Sequence, residues 1–361
     1  MSKQLLRRIL EQSAGGPAGA ALRTTLRPVG QLVASLARRR RRAYANGRRH
    51  AYRADRPVIS VGNLTAGGAG KTPTVLWLAK RLLARDLRVG VVARGYGAAD
   101  GANDEERMLR ARLPGLLYHA DAHRPSAVQR AVRDGAEVVL LDDGFQRLDV
   151  ARDLDIVCLD ATAPFGGGRC LPAGLLREPP EALSEAGIVL LTHADQLDEQ
   201  ALGQLETEVR ALSPHAAVRR AQHRPALLRA LSGEGAQALA AVRGARVALL
   251  SGIARPDHFR ATMAGLGADV RAEMVHPDHH VYVPADLDRA LHRARTAGAG
   301  MLVTTEKDAV KLGPLFADAS ALPVFALCID LWIDDPDGAL DARIDAALAA
   351  VHSSTAPPAG D

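Results

Sequence analysis

Aromatic residues are scarce, with 2 Trp, 5 Tyr and 5 Phe among 361 residues. Single strands of nucleic acid are held largely by stacking on aromatic side chains, so that class of partner is not expected. Cysteine is as sparse. Cys158, Cys170 and Cys328 are an odd set without metal-type spacing, which excludes a disulfide framework and points to a reduced, cytoplasmic protein. No run approaches the ~20 apolar residues of a membrane span. The N-terminal residues lack the compact apolar core and cleavage site of a secretory signal.

The rest is ordinary soluble composition, 47% apolar and 24% charged, in a chain long enough for two domains. The net charge of +5 hides a division. Residues 1–56 hold 14 basic against 2 acidic side chains, a net +12, while the remainder carries 32 basic against 39 acidic, a net −7. Within the basic segment Leu5, Leu6, Ile9 and Leu10 share a helical face, as do Val29, Leu32, Val33 and Leu36, with Arg38–Arg42 following. A basic amphipathic helix suits an anionic membrane surface. A plain basic tail and a nucleic-acid arm remain alternatives for the segment alone.

After residue 57 short apolar runs alternate with amphipathic helical stretches. "PVISVGN", "RVGVVAR" (88–94), "AEVVLLDD" (136–143), "DLDIVCLD" (153–160) and "AGIVLLTHAD" (186–195) read as strands, with helices over Pro73–Arg85 and Ser126–Asp134. Continuous apolar strands between helices predict a mostly parallel sheet covered on both faces. A second α/β block starts near 225, with strands in 245–259, 298–312 and 322–333. The expected organisation is a basic segment 1–56, a core domain 57–224, a smaller α/β domain 225–350 and a disordered polar tail 351–361. A monomer is expected.

Ligands of such sheets gather at the carboxyl ends of the strands. There, "TAGGAGKT" (65–72) resembles the phosphate loop G-x-x-x-x-G-K-[ST], with Thr65 in place of the first glycine. Thr65, Ala66, Gly67, Gly68, Ala69 and Gly70 form the loop. Its glycines let backbone N–H groups converge on phosphate oxygens at a helix N-terminus. Lys71 reaches the β/γ-phosphates, and the Thr72 hydroxyl can ligate Mg²⁺. The fold class is therefore P-loop NTPase-like. "VVLLDDGFQ" (138–146) ends a second strand in Asp142 and Asp143, one of which can hold Mg²⁺. Asp104 and Glu105 read either as helix-capping residues or as a proton acceptor for a substrate hydroxyl. "HPDHHVY" (276–282) carries three histidines, with no acidic or Cys partner at zinc-site spacing. A proton relay or plain surface or core histidines remain.

Seven segments in order, "PVISVGNLTAGGAGKTP", "RVGVVARGYG", "NDE", "DDGFQ", "LPAGLLREP" (171–179), "PDHH" and "LVTTEKDAVKL" (302–312), resemble the tetraacyldisaccharide 4'-kinase (lipid A 4'-kinase) family and cover roughly residues 56–312. The resemblance implies transfer of the ATP γ-phosphate to the 4'-hydroxyl of a lipid A disaccharide 1-phosphate precursor, forming lipid IVA. It also implies a peripheral protein on the cytoplasmic face of the bacterial inner membrane. By motif match, Asp104 is the family's catalytic carboxylate and His279 the histidine that pairs with it. Arg94, Glu105, Gln146, Arg177 and Glu178 match further active-site positions. Two other classes share single features. A metallochaperone-type or partitioning ATPase would carry "GGAGKT" but not "LPAGLLREP", and a membrane-binding module would leave the phosphate loop idle.

Overall fold

The computed structural model describes residues 16–95, 104–232, 235–278, 280–315 and 322–350. The apolar residues 5–10, His279, the side chain of Asp104 and the tail from 351 lie outside the described residues. The chain forms two compact units. One comprises Met1–Gly95, Gly115–Gln222 and Trp332–Asp361, and the other Tyr96–Pro114 and His223–Leu331.

The first unit begins with two helices, α1 (Gly16–Thr25) and α2 (Arg27–Ala45), and continues as alternating strand and helix. Its members are β1 (Val58–Asn63), α3 (Lys71–Leu83), β2 (Val89–Ala93), β3 (Leu117–Ala120), α5 (Arg124–Arg133), β4 (Val138–Asp142), β5 (Leu154–Asp160), β6 (Ile188–Thr192), α6 (Glu199–Leu212) and the start of β7 (Ala217–Ala230). The excursion of residues 96–114 into the second unit carries α4 (Asp104–Arg112).

The strands of this unit lie in the order β7-β6-β5-β1-β4-β2-β3, and every neighbouring pair is parallel. All five residues of β4 are buried. Val139 and Leu141 pack with Ala127, Val128 and Ala131 of α5. Side chains alternate along a strand, so Val138 and Leu140, also fully buried, face the opposite layer. Burial on both faces is why these strands read as unbroken apolar runs.

β1 holds one residue that sets the site. A Cβ on Gly62 would stand 2.4 Å from the Phe145 Cβ and 2.7 Å from the Phe145 nitrogen. Only glycine lets the turn after β4 lie over β1, where the Gly144 N–H donates to the Val61 carbonyl at 3.1 Å.

The second unit has its own sheet in the order β10-β9-β11-β12-β7, with β8 (Ala236–Gln237) antiparallel to β7. β9 (Arg246–Ser251) is parallel to both β10 (Asp269–Val275) and β11 (Met301–Thr305), and β11 to β12 (Val324–Ile333). Ala248 and Leu250 of β9 pack with Leu287, Leu291 and Ala294 of α8 (Pro284–Thr296). The alternate residues Val247 and Leu249 pack with Phe259 and Met263 of α7 (Pro256–Gly265). A short helix α9 (Glu306–Leu312) follows β11 directly. α10 (Ala339–Ala349) returns to the first unit, where Arg81 of α3 bonds both oxygens of Asp341 at 2.6 Å.

Candidate active site

β1 ends at Asn63, and residues 65–70 lead into α3. Gly70 caps the helix in the left-handed region at φ 79°, a conformation that costs glycine nothing and a residue with a Cβ about 1 kcal/mol. The first turn is closed twice on the Gly70 carbonyl, by the Thr74 N–H at 3.1 Å and the Thr74 hydroxyl at 2.9 Å. The loop is tied to the protein through its other carbonyls. Asn63 Nδ2 donates to Thr65 O at 2.7 Å, and the Thr192 hydroxyl donates to Ala69 O at 3.2 Å. Thr65 forms an antiparallel bridge with Leu176, and the Ala66 N–H donates to Leu175 O at 2.8 Å. An extended residue needs no glycine, which accounts for Thr65 at the first position of the motif. The Cys158 thiol lies 3.3 Å from the Thr74 hydroxyl, and burial pushes it up to about 11, so it remains a neutral thiol.

Lys71, the first residue of α3, donates to Asn63 Oδ1 at 3.2 Å and stands 3.5 Å from an oxygen of Asp143. Asp143 follows β4 with φ 57°, a left-handed conformation rare outside glycine and asparagine-like residues. Arg177 Nη1 donates to both Asp143 oxygens at 2.7 Å and to Gln146 Oε1 at 3.4 Å. Gln146 Nε2 donates to the Asn63 carbonyl at 2.9 Å, closing a ring of Lys71, Asp143, Arg177, Gln146 and Asn63. Burial opposes ionisation of Asp143, but the charges of Lys71 and Arg177 outweigh it and hold the carboxyl below its ordinary value. Asp142 is the buried last residue of β4, and Thr72 is half-buried beside Lys71. Two carboxylates and a hydroxyl are hard oxygen donors, the set that suits Mg²⁺ rather than a thiophilic metal. Arg94 is exposed just after β2.

Glu105 and the 276–282 motif belong to the second unit. Lys307 Nζ stands 3.5 Å from Glu105 and donates to Asp278 at 3.1 Å. The histidines find an acidic partner after all. Asp286, six residues beyond His280, lies 3.0 Å from its Nε2 and accepts the Val283 N–H at 3.1 Å. The His276 ring stacks on His280 at 4.2 Å, and burial with the neighbouring His280 keeps His276 below the usual histidine value. His276, His280 and Asp286 offer ligand atoms within 4.8 Å of one another. Asp286 also bonds Arg289, so its charge is already spent on orienting groups around the start of α8.

Comparison with known proteins decides the lineage. The family model described as tetraacyldisaccharide-1-P 4'-kinase matches residues 22–349. The chain belongs to this family. A tetraacyldisaccharide 4'-kinase of Anaeromyxobacter dehalogenans is 44% identical over 77% of this chain and 78% of its own length. That of Geobacter metallireducens is 39% identical over 85% and 92%. A crystal structure of LpxK from Aquifex aeolicus in complex with ATP covers 91% of this chain and 99% of that chain, at 26% identity and a TM-score of 0.70.

Within this 4'-kinase family chain, Glu178 does not join the ring formed by its neighbour Arg177. It faces Arg41 of α2, which donates to it through Nε at 3.0 Å and through Nη2. Arg41 also donates to Glu185 at 2.5 Å and to the Phe145 carbonyl at 3.2 Å, with its guanidinium carbon 4.4 Å from the Phe145 ring centroid. A Cβ on Gly30 would meet the Cys170 carbonyl at 2.8 Å, so α2 lies backbone-close against the loop that carries Arg177. Val33 and Ala34 pack on the core, whereas Val29, Leu32 and Leu36 are exposed at 47%, 59% and 54%. The apolar face of α2 is therefore split between protein and solvent. Among the described residues, no helix is long and apolar enough to cross a membrane.

Proposed function

We propose that the chain transfers the γ-phosphate of ATP to the 4'-hydroxyl of a tetraacyldisaccharide 1-phosphate, forming lipid IVA. What carries this reading is the ring around Asp143 and Lys71 beside a glycine loop, in a chain matched by the kinase family over residues 22–349. The loop N–H groups and Lys71 bind the β- and γ-phosphates. Thr72, Asp142 and Asp143 would hold Mg²⁺, which would supply charge neutralisation for the transferring phosphoryl group.

A sugar hydroxyl is a weak nucleophile near neutral pH, so the reaction also needs a proton acceptor. On the family motif that group is Asp104, oriented by His279. A bond forms from the 4'-oxygen to the γ-phosphorus as the bridging bond to the β-phosphate breaks. The hydroxyl proton passes to Asp104, and ADP leaves. Arg177 keeps the Asp143 carboxylate fixed and charged for the metal.

The acceptor is a lipid, and α2 offers a means of reaching it. Exposed Val29, Leu32 and Leu36 with exposed Arg39 and Arg42 suit a peripheral attachment to the cytoplasmic face of the inner membrane. Each basic residue near anionic lipid contributes about 1 kcal/mol. The test is conversion of disaccharide 1-phosphate to lipid IVA by membranes expressing this chain. Conversion that requires ATP supports the reading, and membranes indistinguishable from a vector control overturn it.

A further inference from the structure

We propose that Lys307 is a positioning residue for phosphoryl transfer, clasping the segment that bears His279 to the helix start that bears Asp104. The inference rests on the reading of Asp104 and His279 as the proton-accepting pair. Lys307 Nζ donates to Asp278 Oδ1 at 3.1 Å and stands 3.5 Å from Glu105 Oε1. Asp278 directly precedes His279, and Glu105 directly follows Asp104. Consecutive Cα atoms are about 3.8 Å apart. One ammonium thus sits a single residue away from each member of the pair along the chain. It also neutralises two carboxylates that would otherwise repel each other.

The surroundings explain why this contact sets position rather than fold. α9 is fixed independently of Lys307. Thr305 caps it, the Gly252 N–H donates to Asp308 at 2.9 Å, and the Ile329 N–H donates to Glu306 at 3.1 Å. α4 is fixed to α9 at its far end, where Arg112 Nη1 donates to both Glu306 oxygens at 2.9 and 3.0 Å. Glu105 and Arg112 are seven residues apart, roughly 10 Å along the helix at 1.5 Å per residue. The Lys307–Glu105 contact is therefore a second tether at the Asp104 end. Without it α4 remains attached through Arg112 and through buried Met108 and Leu109, while the Asp104 end loses the charge that fixes Glu105 relative to Asp278. Lys307, Glu105 and Asp278 are 22%, 21% and 36% exposed at their side chains, so the tether is shielded enough to count and open enough that the fold does not depend on it.

The experiment uses the full-length protein with Lys307→Met, Lys307→Arg, Asp278→Asn and Asp104→Ala, alone and with Lys307→Met combined with Asp104→Ala. Misplacing a reacting group by an ångström costs on the order of 100-fold, so Lys307→Met should lower kcat by roughly 10- to 100-fold. KM for ATP and Tm should stay near wild type, Lys307→Arg should recover most of the loss, and Asp278→Asn should lower kcat in the same sense. Adding Lys307→Met to Asp104→Ala should cost little more, because groups that act as a unit are not additive. Near-wild-type kcat for Lys307→Met beside an inactive Asp104→Ala would overturn the positioning role alone. A Tm loss that Lys307→Arg does not repair would likewise reassign Lys307 to the fold. Wild-type turnover by Asp104→Ala would overturn the base assignment and, with it, the task given to Lys307.

Discussion

Replacing Arg41 by Ala removes the cation from a buried cluster 137 residues away in sequence. Arg41 and Glu178 are 9% and 4% exposed at their side chains, so the surviving carboxylate would have neither a partner of opposite charge nor free access to water. Breaking a buried pair in this way costs about 3–5 kcal/mol, far above the 0–1 kcal/mol of an exposed pair. Glu185, 42% exposed at its side chain, can turn to solvent and adds little. At ~2–4 °C per kcal/mol for a unit of this size, Tm should fall by roughly 6–20 °C. The controls are Arg39→Ala and Arg42→Ala on the same helix, both exposed and expected to leave Tm nearly unchanged. Converting the pair jointly, Arg41→Met with Glu178→Leu, should recover much of the loss because no charge is left stranded. Equal Tm for Arg41→Ala and Arg42→Ala would refute the view that this pair docks α2.

Lys71→Ala should abolish turnover with an unchanged far-ultraviolet spectrum, since a contact to developing charge supplies several kcal/mol; retention of more than about a tenth of wild-type kcat would contradict its role. Asp143 is held below the ordinary carboxylate range, so its pairing stabilises the fold fully above that range and is lost only as pH falls through the lowered value. A carboxyl-carbon NMR titration should then find Asp143 ionised throughout the pH range of activity, and a midpoint above ~4 would contradict the charge balance around it. Leu32→Glu with Leu36→Glu should release the protein from anionic vesicles, and wild-type binding should weaken with added salt, because exposed charges are screened beyond a Debye length of ~8–10 Å. Unchanged co-sedimentation of the double variant would remove α2 as the attachment.

The parts legible in the sequence are those whose signals are local. β1, the glycine loop and α3 declare themselves because an unbroken apolar strand, a left-handed glycine and a helical period follow one another within 26 residues, Val58–Leu83. Thr65 departs from the motif for a reason visible only in three dimensions, its pairing with Leu176. The same limit hides Arg41 as the partner of Glu178, since a five-arginine run gives no sign of which member turns inward. Nor does a polar stretch such as 104–112 reveal that it lies with the second unit, because Arg112 finds Glu306 across 194 residues. Asp286 is not legible as a histidine partner because it stands in the first turn of α8, where an acidic residue is expected for capping alone.

The measurement that bears most directly on the proposed activity is the position of the transferred phosphate. Purified full-length protein in detergent micelles is given γ-labelled ATP and tetraacyldisaccharide 1-phosphate, and the lipid product is then treated with mild acid. An anomeric phosphate is cleaved under those conditions, whereas a phosphate ester at the 4'-hydroxyl survives. Label that enters the lipid only with active Lys71 protein and remains after acid is the predicted result. Label released by acid, or incorporated equally by Lys71→Ala, would contradict 4'-phosphoryl transfer by this chain.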